Sequence, residues 1–367
     1  MNTFFLLMIP IGIIAIIIAA RIASLIHSIA PFSYPNARIM AKTGKLIPAA
    51  KFEELSEAPT VGDVINQLKE TEYEPYISQY VGEEYTVSDV ERALNTHLAD
   101  VYTQINDISP SSVKPVFEVL LKRWDIENII RTLRCIYAKK DPLEYMINIG
   151  TFSDSQREQL AKSVTVDEVT MSLTPEFENI LNNVQDQDLV VIENELLRYY
   201  YQSLWTFLDS SQDPNVRLLR EYFGMDIDAK NILAALRMND LVETESVSDH
   251  LLPVTYHVSF EDLKSMVSAE EMNIVLSVLS KTPYSGIFEE HMSEYEKDKN
   301  LAVFERALNA MIVSKGREVA TLNSLGIGPS IGYLAQKQQE VQRLRMILIG
   351  IYEGIAPDRI KRIAGVA

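Results

Sequence analysis

One cysteine, Cys135, stands in 367 residues, so no intramolecular disulfide is possible and the fold must hold by packing alone. Fourteen glycines and fifteen prolines fall below the roughly 12% of average usage, which argues for few turns and long helices. No strand-like alternation persists over several segments, and Asn-Gly or Asp-Gly hairpin signals are absent. Lys plus Arg number 34 against 51 Asp plus Glu, a formal charge of −17, which argues against nucleic-acid binding. The same charge suits basic partners, or plain solubility. Glycine-rich phosphate loops, Gly-x-Ser-x-Gly elbows and His-Glu-x-x-His motifs are missing. The five histidines form no ligand-spaced cluster, and His250 and His257 have Pro253 between them. Nothing in the sequence assembles a catalytic site or calls for a cofactor.

What is present is repetition. Asp-x-x-Asn-Ile-x-x-x-Leu-Arg occurs as Asp125, Asn128, Ile129, Leu133, Arg134 and again, 103 residues on, as Asp228, Asn231, Ile232, Leu236, Arg237. Thr60-Val61-Gly62-Asp63-Val64 is answered by Thr165-Val166-Asp167-Glu168-Val169. Val90-Glu91-Arg92-Ala93-Leu94 is answered by Ile192-Glu193-Asn194-Glu195-Leu196, and later by Phe304-Glu305-Arg306-Ala307-Leu308. A third copy then places Glu340, Arg343, Leu344 and Leu348 where Asp228, Asn231, Ile232 and Leu236 stand. Its opening marker fits both Ser259–Leu263 and Ser268–Met272, and it carries Arg343 for Asn and Ile349 for Arg. The expected division is an apolar segment at 1–32 and helical repeats at 33–141, 142–245 and 246–367.

Helical periodicity runs throughout the body. With Asp125 as origin, Ile126, Ile129, Ile130, Leu133 and Tyr137 fall roughly within 40–140°, the expected buried stripe. Asp125 and Asn128 edge that stripe on one side and Arg134 on the other, a layout that Asp228, Asn231 and Arg237 repeat. Opposite charges on opposite flanks suit head-to-tail packing, Arg of one unit meeting an acid of the next, for instance Arg134 with Asp228. Such packing closes into a ring or cup if the rotation between copies allows. The other reading is that Asp and Asn bond nearby loop backbone while Arg is solvated. Tyr199-Tyr200-Tyr201 with Trp205 reads as core packing, and Gly326-Ile327-Gly328-Pro329 as a flexible loop.

Phe4 to Ala20 is a run of seventeen residues without a charge, about 26 Å as a helix, the low end of a bilayer span. Arg21, Arg38, Lys42 and Lys45 follow it, so the positive-inside rule directs the body to the cytoplasm. An uncleaved anchor is favoured by that charge order. A cleaved signal peptide and a buried soluble helix are its rivals.

Phe32-Ser33-Tyr34-Pro35-Asn36-Ala37-Arg38, the turns Thr71-Glu72-Tyr73 and Thr282-Pro283-Tyr284, and the repeated Asp-x-x-Asn…Leu-Arg resemble one known family. So does the ending Glu340-x-x-Arg343-x-x-Met346 with Ile360-Lys361-Arg362. The chain resembles the C subunit of the archaeal/vacuolar-type ATP synthase, relative of the d subunit of the eukaryotic vacuolar proton pump, over about residues 33–367. The resemblance implies an all-α subunit of three similar domains about a pseudo-threefold axis, funnel- or cup-shaped. It also implies a non-catalytic place in the central stalk, seating the shaft subunits on the membrane proteolipid ring at the cytoplasmic face. By position, Asp125, Asn128, Arg134, Asp228, Asn231, Arg237, Glu340 and Arg343 become candidates for structural or partner contacts. The apolar N-terminus departs from the usual pattern, and the lipid-filled lumen of the ring is its expected place. A membrane-anchored helical adaptor outside any rotary machine is the alternative, and an enzyme with a cryptic helical site a second rival.

Overall fold

Hydroxyl residues followed three positions later by an acid or amide set where several helices begin. In the computed structural model, which describes residues 3–184, 188–238 and 247–366, Thr60 and Asp63 cap one another's backbone. Thr86 with Asp89, Ser153 with Gln156 and Ser259 with Asp262 do the same, satisfying amides that a helix start leaves without partners. Of the two registers the sequence left open for the third copy, Ser259 caps a helix with its side chain, whereas Glu271, the N-cap that follows Ser268, makes no such bond.

The chain is α-helical, with no strand among the described residues. An N-terminal helix α1 (Thr3–Ile29) passes through one 3-10 turn (Ala30–Phe32) into α2 (Ser33–Thr43). Three similar groups follow. The first is α3 (Ala49–Ser56), α4 (Val61–Leu68) and α5 (Glu74–Tyr80), then a long pair, α6 (Val87–Ile108) and α7 (Lys114–Ala138). The second is α8 (Asp154–Lys162), α9 (Val166–Ser172) and α10 (Pro175–Val184), then α11 (Leu189–Ser210) and α12 (Pro214–Met238). The third is α13 (Val247–His250), α14 (Phe260–Val267), α15 (Met272–Leu279) and α16 (Ser285–Asp298), then α17 (Ala302–Leu322) and α18 (Gly328–Tyr352). A final helix, α19 (Pro357–Ala364), closes the chain. The second helix of each long pair opens on a proline in its first turn (Pro115, Pro214, Pro329), where a missing N–H costs nothing.

The six long helices touch in a closed cycle: α6 on α7, α7 on α11, α11 on α12, α12 on α17, α17 on α18, and α18 back on α6. Buried apolar side chains from Phe32 to Ala364 form one connected core beneath this cycle. The short helices of each group pack on the preceding long pair. Thus α8 and α9 cover α7, α14 covers α12, and α3 and α4, with α2, cover α18. The last assignment closes the cycle, since it brings the first group onto the third pair.

Two local expectations fail. Tyr137 is 51% exposed, because in the last turn before the left-handed cap at Lys139 it is Cys135 and Ile136 that face the core, and Tyr137 faces away. Gly326 to Gly328 is a packed turn and not a flexible loop, with Ile327 buried against the core. A Cβ on Gly328 would lie 2.4 Å from the Val319 carbonyl oxygen, so the glycines serve close approach.

Candidate functional site at the helix junctions

The repeated acids do not face solvent. Asp125, Asn128, Asp228 and Asn231 are fully buried, and Glu340 is nearly so. A helical wheel puts them at the edge of the apolar stripe, and the loop that follows each long pair lies over that edge.

The first junction shows how. Asn128 Nδ2 donates to the carbonyls of Ile147 (2.8 Å) and Ile149 (3.3 Å), while its Oδ1 accepts from Ile147 N (2.9 Å). Asp125 accepts from Thr151 N at 2.9 Å, Thr151 Oγ1 at 2.6 Å and Phe152 N at 3.1 Å. Between the two clamps Gly150 has φ +131°, and a Cβ there would fall 1.9 Å from Asp125 Oδ1. The second junction repeats the design. Asn231 Nδ2 donates to Leu252 and Val254 carbonyls (3.4 and 2.9 Å) and its Oδ1 accepts from Leu252 N (2.8 Å). Asp228 accepts from Tyr256 N (2.8 Å), His257 N (2.6 Å) and the Tyr284 hydroxyl (2.8 Å). Burial raises both Asp carboxyls above the usual range, and these hydrogen bonds offset that rise only in part.

The third junction, between α18 and the first group, has the same plan with different parts. Glu340 accepts from Ile47 N (2.7 Å), the Tyr73 hydroxyl (2.8 Å) and Lys337 Nζ (2.6 Å). Tyr73 thus does for Glu340 what Tyr284 does for Asp228, which explains the paired Thr-x-Tyr turns. The asparagine clamp is replaced here. Arg343 instead donates to the Gly365 carbonyl (2.9 Å) and lies over the Phe52 ring, tying α19 and α3 to α18. His97 sits between the Tyr73 and Tyr76 rings, at 4.4 and 4.8 Å between centroids. Burial, with Lys337 and Lys42 nearby, pushes its imidazole down to about 3, so it is neutral.

The arginines bridge adjacent pairs. Arg134 grips Glu193 with Nε and Nη2, both at 2.6 Å, and Arg237 reaches Glu305 at 2.6 Å. Arg of one unit therefore meets an acid of the next, but the acid is on the following long helix. Asp228, the acid expected to meet Arg134, is occupied by its own loop. Ile349 replaces the third arginine, yet Arg345, one turn earlier, lies 3.5 Å from Glu91 and donates to Asn95 at 2.8 Å. The cycle of bridges is complete, a result the Ile349 substitution had concealed. Glu91, Glu193 and Glu305 share the second position of the repeated Val/Ile/Phe-Glu marker, so the signal for them was present in the sequence.

Residues of α6, α7, α11, α12 and α18 line a cavity of about 70 Å³ whose wall mixes apolar side chains with charged and phenolic ones. Arg123 donates to the Tyr201 hydroxyl (3.2 Å), Lys230 pairs with Asp226, and the Gln338 amide donates to the Tyr102 hydroxyl. Tyr200 and Tyr201 are buried there, whereas Trp205 packs outside against Tyr256, 5.8 Å between centroids. Among the described residues, no group of three or more His, Cys, Asp or Glu could hold a metal ion.

The sequence matches the family described as ATP synthase (C/AC39) subunit over residues 35–363, which takes in all three junctions. The chain belongs to that family. It is 32% identical to the C subunit of the A-type ATP synthase of Methanocaldococcus jannaschii, across 93% of this chain and 88% of that protein. Similarity to the subunits of the same name from a Desulfurococcus species (31%) and Thermococcus onnurineus (30%) covers 94% of this chain and 93% of each relative. For a C/AC39 subunit, the eight signature positions divide by task. Asp125, Asn128, Asp228, Asn231 and Glu340 hold junction loops, Arg134 and Arg237 bridge pairs, and Arg343 ties down the C-terminal helix.

Proposed function

We propose that the chain is a non-catalytic central-stalk subunit in the rotor of an A/V-type ATP synthase. It seats the foot of the central shaft on the membrane proteolipid ring and passes torque between them. The observation that carries this reading is the closed cycle of six long helices, held at every junction by buried hydrogen bonds. Three such units about a pseudo-threefold axis would make a cup, and buried clamps resist shear where exposed ion pairs alone would yield. The interior suits an acidic occupant. Arg123 is bonded there to a phenol, and no carboxylate forms an ion pair with it among the described residues. Arg123 is exposed, so a carboxylate on a helix seated over the cavity can meet its guanidinium without entering the roughly 70 Å³ space.

Membrane attachment through residues 4–20 is part of the same proposal, with the body at the cytoplasmic face. The supporting feature is α1, 27 residues and about 40 Å long, enough to cross a bilayer. Its described side chains from Ile13 onward are unburied, and mean hydropathy reaches 2.2 there. Exposed Ile or Leu side chains favour burial by about 1.5–3 kcal/mol each, so a row of them calls for an apolar medium.

Purification in mild detergent should bring down shaft subunits and a small proteolipid ring with this chain. Arg123→Glu with Lys230→Glu should lose the shaft and keep the ring. Isolation of the wild-type chain free of both would overturn the reading.

A further inference from the structure

The joint between α1 and the body carries information about orientation. Ile29, Phe32 and Ser33 all have right-handed helical dihedrals, with φ of −92°, −87° and −60°, so no extended linker separates α1 from α2. Helix α2 is docked by buried Phe32, Asn36 and Ile39. Asn36 Nδ2 donates to both the Ser324 and Gly326 carbonyls at 3.1 Å, fixing α2 on the turn between α17 and α18. The direction of α1 is therefore set by the body, as a mast is set by its step.

That end also has the surface chemistry of a lipid interface. Leu322 at the end of α17 and Leu325 on the turn are 71% and 60% exposed, and Tyr34, two residues before the Asn36 that docks on this turn, is 60% exposed. Arg38 donates to the Tyr34 hydroxyl at 2.9 Å and lies over its ring. Aromatic rings and snorkelling cations are the side chains that favour headgroup level. Ile22, Leu25 and Ile26, between Arg21 and the body, are apolar and exposed, so the apolar medium extends past Arg21 toward the α17–α18 turn. The long stem of Arg21 lets its guanidinium reach headgroups from there.

We propose that the end of the body formed by the α17–α18 turn and the α1–α2 joint faces the bilayer, with lipid as its partner. In this arrangement α1 is a stiff mast and not a flexible tether. Tyr352, at the far end of α18 about 37 Å away, then points away from the membrane. This inference rests on the anchoring proposed above, and one experiment separates the two. The full chain, in a Cys135→Ala background, is labelled with a donor dye at Leu325→Cys or at Tyr352→Cys and reconstituted into phosphatidylcholine–phosphatidylglycerol vesicles carrying headgroup acceptors. Energy transfer from position 325 should exceed that from 352 several-fold. Flotation with equal or reversed transfer would overturn the orientation alone. Failure to float would remove the anchor, and the orientation with it. Six Gly/Ser residues inserted between Ile29 and Ala30 should keep flotation but equalise the two transfers. If the difference survives that insertion, the mast is not what orients the body.

Discussion

Asn128 and Asn231 each satisfy three backbone groups of a loop that no secondary structure would otherwise hold. Replacing either with Ala strips partners from buried carbonyls and an N–H, each worth about 1–3 kcal/mol when left unsatisfied. We expect a loss of about 2–4 kcal/mol in urea unfolding for each variant. Gly150→Ala should cost at least as much, since its Cβ would strike Asp125 and its φ of +131° strains any L side chain. Gly286→Ala, in a helix with nothing within 4 Å of the new methyl, should instead raise stability by about 0.5–1 kcal/mol. His97 sets a pH dependence. Its folded value, about 3, lies below the ordinary 6.5, so as pH falls the unfolded chain takes up the proton first. Its contribution is whole above 6.5 and is lost between 6.5 and about 3. Asp125 and Asp228 act oppositely, because their raised values make the folded state the stronger proton binder just above the ordinary range. His97→Phe should leave the melting temperature near pH 7.5 little changed and raise it at pH 4 relative to wild type. An unchanged difference between the two pH values would show that His97 is not the group responsible.

At the scale of helices, the arginine bridges and the clamps differ in kind. A double-mutant cycle on Arg134 and Glu193 should give about 0.5–1 kcal/mol, small because the arginine is 60% exposed, and Arg134 with Asp228 should give none. Helices α17 and α18 approach closely at Gly332, where a Cβ would lie 2.7 Å from the Ala320 Cβ and 2.9 Å from the Gly316 carbonyl oxygen. Gly332→Leu should splay that pair and lower the melting temperature more than Gly286→Leu. Much of this level was legible beforehand. Helix starts, the two clean copies and the middle marker follow from local chemistry, since a cap or a 3.6-residue stripe is written within a few neighbouring residues. The clamps were legible in kind, since Asp and Asn bonding loop backbone was one of the two readings, but not in detail, because most partners of Asp125 and Asn128 are main-chain atoms 19 to 27 residues away, and backbone groups carry no sequence label. Arg345 escaped for a related reason. A side chain one turn earlier reaches the same acid, but strict alignment counts it as a missing match.

Taken whole, the chain crosses two of its three junctions by peptide and the third by noncovalent contacts alone. Residues 357–364 are part of that third closure, with Ile360 buried, Arg343 bonded to Gly365, and Lys361 paired with Glu57. Deleting residues 357–367 should speed amide hydrogen exchange in α2, α3 and α18 while leaving α7 and α12 close to wild type. A uniform rise across all three junctions would contradict this division. The cavity lined by the long helices was beyond reach of the sequence, since Arg123 stands on α7 of the first copy while Asp226 and Lys230 stand on α12 of the second.

A ring cut once and sprung shut is a split washer. Its two continuous joints keep the circumference and the order of parts fixed, so assembly asks only that one gap find its mate. If load is ever excessive, such a part gives way at a known place, and because it is still one piece it can snap back. The Asn36 dock and the Lys337–Glu340 pair lie beside that gap, so the element gripping the α1–α2 joint is also the element next to the slit.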